Sequence, residues 1–422
     1  MDDDFSAEEM NAIGQLAPLL SPPDDPTNAF ADHPDAASLG QQLFFERRYS
    51  AELLVGEDGS NGGLGAVGES GKVACASCHM PEHAFSDGRS RPGNVSLGVK
   101  HTTRNTPSLV NVAYYEWHGW GGKQDSLWTQ ASLSPESSSN TGGNRCDYAH
   151  MVWEHYREPY TDVFGEELPA ALDPASGDAD RFPARCKPKK SPSDPDGAWE
   201  QMSDDDRHAI NQIMANCGKA VAAYERRLVS RNAPFDRFVE GDRTAISASA
   251  KRGLRLFIGK AGCAACHSGT SLSDNDFHNT GVPQVGPNVP EEDDGRYTDV
   301  SSLLKHTFNT ASEFSDDREH GEEKLADLAP RDDLRGAFRT KSLRNVAESA
   351  PYFHNGSMAT LRDVIEFYND GGGSSDFVGT QDAKMVSLNL TQAEIDDLVA
   401  FLETLTGDPI PEDLRVDTSA AL

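Results

Sequence analysis

The sequence predicts a mainly α-helical protein made of two similar halves packed against each other, with long loops and few short strands. Three observations predict it. A five-residue string occurs twice, as CASCH at 75–79 and CAACH at 263–267. The flanks of the two strings also match. An apolar stretch precedes each, LGQQLFFERRYS and RGLRLFIGKAG; T-x-S-L-x-N-V-A follows each, as TPSLVNVA from Thr106 and TKSLRNVA from Thr340; then comes an aromatic-His-Gly segment, YYEWHG and PYFHNG. Such self-similarity marks a duplicated unit. Third, apolar residues recur at helical spacing, whereas period-2 alternation is confined to short runs.

Taken in chain order, residues 1–38 read as an N-terminal extension and 39–241 as the first unit. The span 134–203, rich in Ser, Pro, Gly and Asp, reads as a polar insertion in it. Ser203 to Asp206 weakly resembles a capping box ahead of a long helix, on which Ile210, Ile213, Met214, Cys217, Val221 and Leu228 share one face. The junction falls at 241–249, and the second unit runs over 249–410. Thr360 to Asp363 forms a capping box that opens LRDVIEFY. Thr391 begins TQAE, a further box, ahead of a helix ended by Gly407.

C-x-x-C-H is how a c-type haem is attached. Cys75, Cys78, Cys263 and Cys266 are the expected thioether positions, and His79 and His267 the proximal iron ligands. A zinc site would gather two ligand pairs close together, whereas these strings lie in opposite halves and each stops at one His. Two covalent haems are therefore expected, one per cytochrome c-like unit. Haem is attached outside the cytoplasm in bacteria, which predicts a periplasmic or extracellular protein, although the acidic start has neither a basic n-region nor an apolar h-region. With 38 Lys and Arg against 68 Asp and Glu, the net charge of −30 argues against nucleic acid or an anionic membrane as partner. No apolar run reaches the ~18 residues of a membrane span. Of the seven cysteines, three remain. Cys146 and Cys186, in polar sequence, are expected to pair in an oxidising compartment, and Cys217, on an apolar helix face, to stay a buried thiol.

In order from about Leu39 to Leu405, CASCH, RNTPSLVN from Arg104, DSLWTQA from Asp125, AAYERRLVSRNAPFDRF from Ala222, LFIGKAGCAACH, FRTKSLRNV and APYFHNGSMATL resemble the bacterial di-haem cytochrome c peroxidase and MauG family, in its MauG- or MbnH-like branch. The resemblance implies that the N-terminal haem meets hydrogen peroxide and the C-terminal haem is six-coordinate. It puts the distal ligand of the latter fourteen residues after His354, at Tyr368, with Met358 and Met385 as competing sulfur donors. It sets Trp120 between the haems, ten residues before Gln130 in the peroxide pocket, and implies a calcium ion held at Asn105, Ser349 and Pro351. His354, and more weakly His118 and His278, would meet a haem propionate. Two positions depart from the family: Val99 stands at the place of a displaceable distal His, with His101 nearby, and Asn140 at that of the distal Glu. An amide cannot act as a general base, so either Glu136 takes over, with the Ser-rich loop folded differently, or peroxide cleavage depends on Gln130 and water.

The function implied is an enzyme that uses hydrogen peroxide to form high-valent haem iron and oxidises a protein partner, as MauG and MbnH do. One alternative is a peroxidase that reduces hydrogen peroxide to water with electrons from a small cytochrome or cupredoxin. A non-enzymatic di-haem electron carrier is the other.

Overall fold

The computed structural model describes residues 5–57, 59 and 61–419. Its helices are α1 (Ala7–Gly14), α2 (Pro34–Phe45), α3 (Leu127–Leu133), α4 (Arg145–Phe164), α5 (Ala198–Gln201), α6 (Asp204–Glu225), α7 (Pro234–Val239), α8 (Ala248–Ile258), α9 (Arg296–Leu303), α10 (Arg318–Leu325), α11 (Leu361–Asn369) and α12 (Gln392–Glu403). Most start where a side-chain oxygen can satisfy an unpaired N–H of the first turn. The Ser203 hydroxyl accepts from Asp206 N–H at the head of α6, while Thr360 and Thr391 form complete capping boxes on α11 and α12. The strands β1 (Phe277–His278) and β2 (Phe338–Arg339) pair antiparallel, Phe277 opposite Arg339. The fold is mainly α, as the sequence predicts.

Each half is built on one close helix crossing, α2 on α6 and α8 on α12. A Cβ on Gly40 would lie 1.9 Å from the Ala220 carbonyl oxygen, and one on Gly253 would lie 1.9 Å from that of Asp397. Both glycines belong to the repeated apolar stretch, and both are there because the backbones touch. The T-x-S-L-x-N-V-A repeats fasten the ends of the crossing helices. Asn111 N–H donates to Leu228 O at 2.8 Å, and Asn345 N–H to Leu405 O at 3.0 Å. Both asparagines take the left-handed conformation, φ 62° and 58°, which Asn tolerates better than most residues.

Two hydrophobic clusters follow from this. One gathers side chains of α2, α3, α4 and α6, the other those of α7, α8, α11 and α12. Phe235 and Phe238 of α7 join the second, so the break in packing precedes the 241–249 junction. The termini cross over: Ile13, Leu16 and Ala17 are buried in the second cluster, and Ile410 and Leu414 in the first. Residues 1–38 are therefore no mere extension, and α2 itself starts inside them.

The span 134–203 is more than a polar insertion, since it holds α4, whose Tyr148, Val152, Tyr156 and Tyr160 are buried in the first cluster. Its period was obscured because tyrosines fill core positions and Pro159 lies inside the helix. Cys146, on the first turn of α4, is bonded to Cys186, and both are buried; Cys217 is a buried free thiol.

Candidate haem centres

The two C-x-x-C-H strings fold into the same 3₁₀ turn, His79 N–H donating to Cys75 O and His267 N–H to Cys263 O, each at 2.9 Å. The ring Nδ1–H of His79 donates to Phe85 O at 3.0 Å, and that of His267 to Leu272 O at 3.1 Å. Second acceptors come from the repeat itself, the backbones of Pro107 and Lys341. The Ser of each repeat steadies the accepting loop, Ser108 Oγ–H donating to Ala84 O and Ser342 Oγ–H to Ser271 O. With Nδ1 so fixed, Nε2 is the nitrogen left for iron. Burial keeps both rings in the neutral, ligating form, lowering His79 to about 4 and shifting His267 down as well. It also pushes the Cys75, Cys78 and Cys263 thiols up to about 12.

A cavity of about 300 Å³ opens beside the second motif. Cys263, Cys266 and His267 line it together with Tyr368 of α11, and Asn105 and Trp120 reach it from the first half. His354, Ser349 and Pro351 also line it, so one space collects most of the residues the sequence singled out. Its lining fits a haem: a thiol pair and an imidazole, oxygen and sulfur donors in Tyr368 and Met385, and a buried guanidinium, Arg339, whose Nε and Nη1 have no acceptor among the described residues. Cys263, Cys266 and His267 would hold it. Burial, reinforced by Cys263 and Cys266, raises the Tyr368 phenol above its ordinary range. Met385 shares the cavity; Met358 is not among the residues that line it.

Trp120 Nε1–H donates to Asn105 O at 2.7 Å, and Lys341 Nζ lies 4.6 Å from its ring. Asn105 Nδ2–H donates to Pro351 O at 2.9 Å, bringing together two of the expected calcium positions, although an oxygen-seeking cation would need that amide to turn. The three histidines expected near a propionate have these surroundings. His354 stacks on Phe338 with centroids 3.6 Å apart, and its Nε2 meets the Gln284 amide. His278 has both nitrogens engaged, Nδ1 with Asp382 at 2.6 Å and Nε2 with Asp274 at 3.0 Å. His118 lines a separate cavity of about 200 Å³ with Asp125 and Lys324. The Cys266, Asp274 and His278 trio has metal-ligand spacing, but its sulfur belongs to the attachment motif.

In the first half the two departures from the family are neighbours, Val99 N–H donating to Asn140 O at 2.7 Å. Val99 is buried with Leu53 and Val73. Gln130, half-buried on α3, has no hydrogen bond to its side-chain amide among the described residues. Glu136 is paired with Arg145: Oε1 accepts from Arg145 N–H at 3.2 Å and Nε–H at 2.9 Å, and Oε2 from Nη2–H. Both its oxygens are committed to a guanidinium that also stacks over Trp199.

Sequence reasoning missed three cations, one buried (Arg339) and two half-buried (Arg104 and Lys341). Arg104 is paired with Asp293 at 2.7 Å and Asp299 at 2.6 Å, joining the halves. Arg339 and Lys341 line the cavity with no ion pair among the described residues. The signal was present in the repeat, where Lys341 stands at the place of Pro107.

Fold and site define a tandem arrangement of two C-x-x-C-H turns whose histidines are framed alike, as a two-haem c-type cytochrome requires. The profile of the family described as di-haem cytochrome c peroxidase matches residues 34–244. Cytochrome-c peroxidase IdrP1 of Denitromonas iodatirespirans is 33% identical over 400 residues, 93% of this chain and 86% of that one. Methylamine utilization protein MauG of Methylorubrum extorquens is 30% identical over 379 residues, 89% and 79% of the two chains. Among solved structures, a MauG-like protein associated with microbial copper homeostasis superposes with a TM-score of 0.62 at 23% identity, covering 96% of this chain and 97% of the other. The chain belongs to the di-haem cytochrome c peroxidase family and is a di-haem oxidoreductase acting on hydrogen peroxide. No helix of the described residues is long and apolar enough to cross a membrane.

Proposed function

We propose that the protein is a peroxidase that reduces hydrogen peroxide to water with electrons from a small cytochrome or cupredoxin outside the cytoplasm. In sum, H₂O₂, two electrons and two protons give two waters. A haem supplies the redox-active iron; the side chains do the rest. His79 would hold the peroxide-side haem iron, and Val99, in an apolar cluster, would offer no ligand to block it. Gln130 orients the peroxide by hydrogen bonding. Water carries the protons, since Glu136 is clamped and Asn140 is an amide. Cys263, Cys266, His267 and Tyr368 would hold the haem at which electrons enter, and Trp120 would carry them toward the first half. The observation that carries the reading is Trp120 itself, a first-half residue held by its bond to Asn105 O yet lining the cavity beside the second motif.

The peroxidase reading stands ahead of oxidation of a partner's side chain because the relatives named cytochrome-c peroxidase include the 33% match, whereas MauG proteins match at 30% and 28%. Tyr368, a harder donor than thioether sulfur, favours the second reading. The test is peroxide consumption with a reduced small c-type cytochrome: two donor equivalents oxidised per peroxide support the proposal. No donor oxidation, with a covalent change on an added partner protein found by mass spectrometry, overturns it.

A further inference from the structure

Charge in the cavity beside the second motif does not balance. Of the cations lining it, Arg344 is paired with Asp236 at 2.6 Å, and Lys384 is exposed at the rim. The one carboxylate lining it, Asp382, is bonded to His278. Arg339 and Lys341 are left. Arg339 is 3% exposed, lies 3.5 Å over the Tyr115 ring, and has two nitrogens without an acceptor among the described residues. Lys341 reaches over Tyr115 and Trp120, at 5.3 Å and 4.6 Å from their ring centres. Arg104, nearby, already has its two aspartates. A buried guanidinium and a half-buried ammonium with no carboxylate partner among the described residues are costly, so the site calls for an anion with two negative charges. A haem brings that number, one on each of its two propionates.

We infer that Arg339 and Lys341 seat the propionate carboxylates of the haem attached at Cys263 and Cys266, holding that haem's edge on the Trp120 side of the cavity. The inference rests on the di-haem assignment and not on the fate of peroxide. A carboxylate matches the fork of an arginine, and the ammonium neutralises the second charge. The two halves differ at this point, because the first repeat carries Pro107 where the second carries Lys341, and a proline supplies no cation.

The experiment uses the covalently loaded protein and two readouts other than turnover: the midpoint potential of each haem by spectroelectrochemical titration, and the propionate bending band in resonance Raman spectra. Arg339→Gln and Lys341→Gln each leave a carboxylate uncompensated, which favours ferric iron. The expected result is about a tenfold shift of the ferric-to-ferrous ratio toward ferric at fixed solution potential, about 59 mV for a one-electron couple, with a displaced propionate band, both confined to the haem at Cys263. Arg339→Lys and Lys341→Arg should stay near wild type. If Arg339→Gln fails to fold, Lys341→Gln and Lys341→Pro carry the test. Unchanged potential and band in folded variants overturn the inference, as does a shift confined to the haem at Cys75. Peroxide turnover enters neither readout, so its loss would count against the proposed function alone.

Discussion

Gly253→Ala tests whether the α8–α12 crossing is set by backbone contact. The added methyl would sit 1.9 Å from the Asp397 carbonyl oxygen, 2.6 Å from its carbon and 2.9 Å from Phe401 Cβ. Ordinary contact needs well over 3 Å, so the helices must part by more than an ångström, and the obstacle is backbone that no rotamer change can clear. Parting them loosens Leu254, Phe257, Leu398 and Phe401, all at most 2% exposed. Overpacking of this kind costs about 1–3 kcal/mol or more. Helix propensity works the other way, by about 1 kcal/mol in favour of Ala. The net expectation is a loss of about 2 kcal/mol, visible as a lower urea midpoint followed in the absorption of the haem at Cys263. Gly14→Ala is the control, because nothing lies within 4 Å of its Cβ position, and it should be neutral or stabilising. If Gly253→Ala is as stable as wild type, propensity governs the site and the close-crossing argument is wrong.

Thiol counting on denatured, unreduced holoprotein should find one free cysteine, Cys217, and opening the 40-residue Cys146–Cys186 span should cost ~4 kcal/mol in urea titrations on the chain-entropy model. Glu136→Gln should lower stability by releasing Arg145 yet leave the rate of the peroxide reaction within a few-fold; a loss of two orders of magnitude in a folded variant would restore Glu136 as the proton shuttle. Tyr368→Phe should abolish a low-spin ferric EPR signal, and an unchanged spectrum would transfer the ligand role to Met385. Glu225, buried with Oε2 unpaired, is raised to about 8. The fold favours its protonated form, so stability contributed below the usual carboxylate range is lost as pH climbs toward 8. Glu225→Gln should flatten that decline and be the more stable protein at pH 8 by urea midpoint; a steeper decline would refute the assignment.

How much of this was legible in the sequence depended on whether a feature was local. The attachment turns, the capping boxes at Thr360 and Thr391 and the helix carrying Cys217 are written in neighbouring residues, and the structure has them where the sequence puts them. The α4 helix was not legible, because its buried face is made largely of tyrosines and a proline interrupts its pattern. Crossing of the chain termini could not be read either: Ile13 and Leu414 are ordinary apolar residues, and nothing nearby says which half will bury them. The Glu136–Arg145 pair was illegible for a similar reason, since the arginine lies nine residues on, across a turn, where spacing is silent about ion pairing.

Duplication explains why the repeat could be recognised and yet misjudged. Positions that hold the proximal histidine do so through backbone carbonyls, at Phe85 and Pro107 in one half and Leu272 and Lys341 in the other. A carbonyl is indifferent to its side chain, so the second position of T-x-S-L-x-N-V-A is free to differ without disturbing the frame. Ser108 and Ser342 work through their hydroxyls, and Asn111 and Asn345 need the left-handed conformation, so these positions match between the copies. The one variable position beside the proximal ligand is therefore where the two centres can acquire different charge at no cost to the scaffold, and there the second half carries a lysine against Trp120.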